Sequence, residues 1–201
     1  DLLEKDGWKL DLADGVRKKE EKDEKKNIVK LPLEITVTTV DAKENITVAQ
    51  TIKRDWEALG VKTELEIVPA SKIQKEKIRT RDYHALLYGE IIGPDPDPFP
   101  FWHSSQNDAS GLNLAVFSNR RADELLEKAR SATKLEDRET LYREFQDILA
   151  DEVPAILLYS PTYTYVVGRK VRGIETGTIF TPADRFDDIA SWYIETRRVW
   201  K

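Results

Sequence analysis

From Leu31 to Val40 the chain runs LPLEITVTTV, branched apolar residues alternating with polar ones, and that period of two predicts a half-buried β-strand. A helix is expected next: Asp41 and Glu44 have the form of a capping box, Val48, Ile52, Trp56 and Leu59 fall on one helical face, and Gly60 supplies a stop. VKTELEIVP returns to strand spacing, a short helix follows through Ile73 and Ile78, and RDYHALLYGEIIG is apolar enough for a central strand covered on both faces. Strand, helix, strand, helix, strand is the order that builds α/β layers.

Upstream, WKLDLADGVRKKE places Asp14-Gly15 between short alternating runs, the pattern of a β-hairpin with a two-residue connection. The charged run over residues 18–30 is expected to be a hairpin extension or a loop, because mixed-sign runs without aromatics bury little. Downstream the pattern is helical. Asn119 can cap a helix with Ala122, Leu125, Leu126 and Ala129 on one face, and Leu141, Phe145, Ile148 and Leu149 repeat the pattern in a helix that ends before Pro154. AILLYS and TYTYVVG then have the composition of two strands meeting at Ser160-Pro161, and IASWYIETRRVW alternates in the manner of a last strand.

A chain of 201 residues can bury one core or two small lobes. No window approaches the roughly 20 apolar residues that span a bilayer, and no charged-then-apolar leader opens the chain, so neither a membrane span nor an export signal is expected within these residues. A net charge of -5 supplies no basic field, which sets nucleic acid aside as a partner. The lack of cysteine excludes disulfides, thiolate nucleophiles and zinc ribbons. Methionine is absent even at position 1, and the opening DLLEKDGW has the look of a helix end running into a strand, so a piece of a longer polypeptide is expected.

Candidate chemistry concentrates in GPDPDPFPFWHSSQND, which starts at Gly93. Each proline fixes its own φ and pushes its predecessor toward extended conformations, so the loop should be stiff. Such a loop serves either to present groups to a ligand at little ordering cost or simply as a rigid crossover. Asp95 and Asp97 are two apart and point opposite ways on an extended chain, which argues against a shared calcium site and against an acid/base pair; capping or turn roles are expected. His84 and His103 lack ligand-like spacing, so no metal is expected, nor a cofactor. His103 beside Ser104 and Ser105 leaves a small hydrolase, using His103 with a carboxylate, as the alternative reading, although no GxSxG elbow accompanies it. Phe99, Phe101 and Trp102 after the loop, and Tyr159, Tyr163 and Tyr165 near Pro161, suit either core packing or a ligand site at the C-terminal end of an open α/β sheet.

The order of these signals resembles a known family. RDYHALLYG, the DPDP loop with its aromatics, Asn113 in GLNLAVFSN, ADELLEKAR and DRETLYREFQDILADEVPAILLY, preceded by DGWKLDLADGVRKK and ITVAQTIKRDWEALGVKTELEIVP, are similar to the C-terminal lobe of the family 5 extracellular solute-binding proteins, the dipeptide and oligopeptide receptors of ABC importers. The resemblance implies an α/β periplasmic-binding-protein-like lobe, type II and cluster C-like, with a mixed central sheet flanked by helices. Residues 1–201 would form the ligand-binding lobe of a larger two-lobe protein that captures peptides or a similar small solute outside the cytoplasm. No catalysis is implied. The partners implied are the solute, the N-terminal lobe of the same protein and an ABC permease. The residues implied at the site are Gly89, Glu90, Ile91, Ile92 and Gly93 for backbone pairing with a peptide, Asp95 and Asp97 for charge or loop geometry, Trp102 for a stacking wall, and Asn113 for a polar contact or brace. One departure stands out. Glu90 replaces the tryptophan of similar peptide-binding members, and isoleucine, Ile92, stands near the aspartate that pairs with the peptide amine, so Glu90, Asp95 or Asp97 would have to substitute.

Overall fold

The computed structural model describes residues 2–93, 95–175, 177 and 179–194. Two compact units emerge, Asp1–Glu90 with Ser104–Val116, and Ile91–His103 with Phe117–Lys201.

The first unit opens with a short helix α1 (Leu2–Lys5) and an antiparallel sheet of β1 (Lys9–Leu10), β2 (Arg17–Lys22) and β3 (Ile28–Pro32), in that spatial order. Leu10 pairs with Arg17 across the first turn, so the connection is longer than the two residues that Asp14-Gly15 suggests. The side chains of Asp11 and Asp14 explain the length: each accepts a backbone N–H two residues on, and both grip the Lys18 ammonium, at 2.9 and 2.6 Å. The charged run over residues 18–30 is divided between β2, β3 and their turn, where the Asp23 carboxylate accepts the N–H groups of Lys25 and Asn27.

A parallel sheet follows, built from β4 (Glu34–Val40), α2 (Lys43–Ala58), β5 (Lys62–Val68), α3 (Ala70–Ile73) with a π turn (Gln74–Ile78), and β6 (Ala85–Leu87). The strand order is β5-β4-β6, with Val37 opposite Leu65 on one side and Ala85 on the other. The centre therefore belongs to β4. The run RDYHALLYGEIIG, whose apolar character suggests the centre, contributes only the short strand at the edge. Thr38 and Thr39 cause the mismatch, because they count as polar in the alternation yet are fully buried. Their hydroxyls are satisfied by the Glu66 carboxylate and the Leu87 carbonyl, both at 2.8 Å, which removes the penalty of burying them.

Helix α2 starts differently from the capping-box expectation. Its N-cap is Ala42, whose methyl group cannot accept a hydrogen bond, and the Asp41 N–H is bound to the Val68 carbonyl at the end of β5. Gly60 ends the helix at φ +85°, and a Cβ there would lie 2.8 Å from Leu10 Cδ1 and 2.9 Å from Arg17 Cγ, so both the conformation and the packing demand glycine. Ile73 and Ile78 are both buried with Val68. An interval of five residues would set them on different faces of an α-helix; the wider π turn brings them to one side.

The second unit carries the loop from Ile91, a single helical turn α4 (Phe99–Trp102), and the helices α5 (Arg120–Ser131) and α6 (Leu135–Glu152). Asn119 caps α5, its side-chain oxygen accepting the Ala122 N–H at 3.0 Å. Phe117, Ala122, Leu125, Leu126 and Phe145 form the core, with Phe99, Trp102, Leu141, Ile148 and Leu149 packed against it. Beyond α6, AILLYS and TYTYVVG run as exposed chain without a ladder, contrary to the strand expectation. Their alternation is that of a strand, but strands need a neighbour, and no described residue supplies one. β7 (Val171–Arg172) pairs with β8 (Tyr193–Ile194); of the expected last strand, Ile189–Ser191 instead form a 3-10 turn closed by the Trp192 N–H on the Ile189 carbonyl, and residues 195–200 fall outside the described residues.

Candidate functional site

The edge strand β6 ends at Leu87, whose carbonyl is held by the Thr39 hydroxyl, itself contacted by Asn45 Nδ2 at 3.3 Å. The central strand thus fixes the point where the chain leaves the sheet. From there the backbone of Gly89–Gly93 makes no hydrogen bond to any described residue, and all five residues are exposed, Ile91 at 83%. Gly89 and Glu90 belong to the first unit; Ile91, Ile92 and Gly93 belong to the second. A Cβ added at Gly89 or Gly93 would meet nothing within 4 Å, so packing inside the chain does not call for glycine at either place.

Glu90 keeps exposed surface, but protein around its carboxyl holds water away and pushes its pKa above the usual glutamate range. Among the described residues no cation pairs with it. Asp95 and Asp97 are engaged. Arg138 Nη2 donates to Asp95 Oδ1 at 2.7 Å, Arg130 Nε lies 3.1 Å from Asp97 Oδ2, and Asp97 Oδ1 accepts the Phe99 N–H at 3.1 Å in an Asx-type turn. Sequence reasoning singled out neither arginine, because partners so far apart along the chain leave no local pattern.

Trp102 faces Phe117 and Phe145 edge-on, with ring centroids 6.2 and 6.5 Å away, so much of its indole is committed to the core. Asn113 is fully buried in the first unit; its N–H donates to the Gln106 carbonyl, the setting of a loop brace. His103 is also buried, stacked on Phe99 at 4.1 Å with 18° between the planes, and its Nε2 lies 3.4 Å from Glu127 Oε1. A carboxylate is within reach of this histidine, but stacking and burial give it a packing role. A cleft of about 400 Å³ near the start of β6 is lined by Thr36, Thr38, Glu66, Lys77, Arg81, Asp82, Tyr83 and His84. Its charges are taken up by one another and by carbonyls: Lys77 pairs with Glu66 at 2.8 Å and Asp82 at 3.1 Å, and Arg81 donates to the carbonyls of Asp108 and Gly111.

Residues 1–111 match the family model of the bacterial extracellular solute-binding proteins, family 5, middle region. The chain belongs to this family. A relative among curated proteins, the oligopeptide-binding protein AppA of Bacillus subtilis, is 25% identical over 197 residues, covering 96% of this chain and 33% of its own length. The peptide transport periplasmic protein SapA of Haemophilus influenzae is 25% identical over 153 residues, covering 75% of this chain and 26% of itself. Among solved structures, AppA from Bacillus subtilis in complex with a nonapeptide superposes with a TM-score of 0.69 at 20% identity, over 97% of this chain and 36% of that one. The oligopeptide-binding protein from Thermus thermophilus complexed with a pentapeptide superposes with a TM-score of 0.70 at 19% identity, over 86% of this chain and 31% of that one. These likenesses establish the periplasmic-binding-protein α/β fold. The chain spans about a third of the length of its AppA relative. As a family 5 chain it is grouped with solute-binding proteins, and nothing in these likenesses supports a hydrolase.

Proposed function

We propose that this family 5 chain is the C-terminal lobe of an extracytoplasmic receptor that captures peptides and passes them to an ABC permease, with no chemistry of its own. The observation that carries this reading is the backbone of Gly89–Gly93, exposed and without ladder partners where it leaves the edge of a parallel sheet. A peptide added there as a strand would gain main-chain hydrogen bonds whatever its side chains, and Gly89 and Gly93 would let its backbone come close. The Glu90 carboxyl, exposed and without a cation among the described residues, is suited to meet the amine that a peptide brings. The rest of the polypeptide would supply the facing lobe. Ile156, Leu157 and Val166, all strongly exposed on chain with strand composition, offer it an apolar surface.

The test is calorimetric titration with unmodified and N-acetylated alanine tri-, penta- and nonapeptides. Binding that is weakened tenfold or more by acetylation is expected. Binding indifferent to acetylation would keep the peptide reading and remove Glu90 from it, while no binding of any peptide would overturn the peptide reading.

A further inference from the structure

We propose that Arg130 of α5 and Arg138 of α6 are positioning residues for ligand capture, each holding one aspartate of the proline loop that continues Ile91–Gly93. The inference deepens the peptide-receptor reading and rests on it. Asp95 and Asp97 flank Pro96, across which the Asp97 N–H donates to the Asp95 carbonyl at 2.9 Å, so the backbone turns tightly between the two carboxylates. Each meets an arginine from a different helix, Asp95 that of α6 at 2.7 Å and Asp97 that of α5 at 3.1 Å. The loop is thereby fastened from two directions to the pair of helices that carries the second core.

Both arginines are themselves held. The Arg130 guanidinium lies 4.3 Å from the centroid of Phe99, and Arg138 donates through Nε to the Tyr142 hydroxyl at 3.2 Å. Asp97 also accepts the Phe99 N–H, which ties the fastening to the first turn of α4. With their carboxylates paired to arginines, Asp95 and Asp97 serve loop geometry. A strand-pairing segment that must be ordered afresh at each encounter binds more weakly by the fraction of time it is competent. Prolines and clamps together keep that fraction high.

The test compares Arg130→Gln, Arg138→Gln, Asp97→Asn, the Arg130→Gln/Asp97→Asn pair and Arg130→Lys with the parent chain, after helix content and thermal midpoint confirm folding. Two quantities are read: hydrogen exchange at the amides of Asp97 and Phe99, and the Kd for unmodified alanine tri-, penta- and nonapeptides. Arg130→Gln is expected to speed exchange at both amides and to weaken binding about three- to tenfold, the factor that follows if the competent fraction falls to between a third and a tenth. Asp97→Asn should do the same, and the pair no more than either alone. Arg130→Lys, which keeps the charge at Asp97, should recover part of the affinity. Unchanged exchange and affinity in both glutamine variants would overturn the proposal, as would weaker binding without faster exchange. If the parent chain binds no peptide the receptor reading fails instead, and unchanged loop exchange in the variants would then overturn the clamp on its own.

Discussion

Arg17 Nε donates to the carbonyl oxygen of Leu59 at 2.8 Å, so the first residue of β2 closes the C-terminus of α2. Its Nη1 donates to the Trp8 carbonyl at 3.0 Å, and its own N–H to the Gly60 carbonyl at 2.7 Å. A cation is well placed at a helix C-terminus, and here the buried guanidinium also supplies donors to the Leu59 and Trp8 carbonyls. Replacing Arg17 with leucine should lower stability by about 2–3 kcal/mol, because it takes the donors from the Leu59 and Trp8 carbonyls while the backbone bond to Gly60 remains. Urea unfolding checks this, and an unchanged midpoint would mean that water satisfies them equally well.

Val153 caps α6 in the left-handed region, at φ 47° and ψ 53°, a conformation that a β-branched residue adopts only under strain. Glycine is the residue that helices prefer at such ends. Val153→Gly is therefore expected to raise stability by about 0.5–1 kcal/mol, the relief of strain being partly offset by the greater freedom of the unfolded chain. A higher thermal midpoint is the readout, and a lower one would show that side-chain packing outweighs the strain.

Acid should destabilise the chain. The Asp108 carboxyl is held below its ordinary range, first by the Ser110 hydroxyl and then by the N–H groups of Ser110 and Gly111; Lys77 is the leading cause of the same shift at Glu66. A folded pKa below the unfolded one contributes stability that is full above the unfolded value, near 4, and is lost as pH falls through the folded value. Unfolding free energy should decline from about pH 5 downward. Asp108→Asn should make that decline shallower, and superimposable profiles would show that Asp108 does not contribute.

Gly89→Val separates binding from folding. A Cβ at this position meets nothing within 4 Å, so stability should stay within about 0.5 kcal/mol of the parent, as for surface changes generally. Peptide affinity should fall about tenfold or more if a ligand backbone packs there, roughly the 1.4 kcal/mol of one small steric intrusion. Equal affinity in the two proteins would move the ligand elsewhere.

The sequence made much of the architecture legible where local pattern and tertiary role agree. The Asn119 cap and the Ala122, Leu125, Leu126 and Ala129 face survive intact because one helix encodes and uses them. Alternation failed at Thr38 and Thr39, whose burial rests on acceptors supplied by β5 and β6. It failed again over residues 155–168, where a strand-like composition finds no neighbouring strand among the described residues. At the candidate site, the capping or turn role expected of the DPDP aspartates holds at Asp97, which accepts the Phe99 N–H. The arginines that receive the two carboxylates could not be read from spacing, since Asp95 and Arg138 are 43 residues apart.

The shortness of β6 has a further bearing on selectivity between partners. Three paired residues at a sheet edge offer too few rungs for a second copy of the protein to dock and propagate a shared sheet. A short flexible ligand bound in the proposed mode would have no such requirement, because it would pair with the unladdered chain beyond Leu87. On the proposed reading, a β6 edge of this length would admit a guest strand while offering little to a second copy.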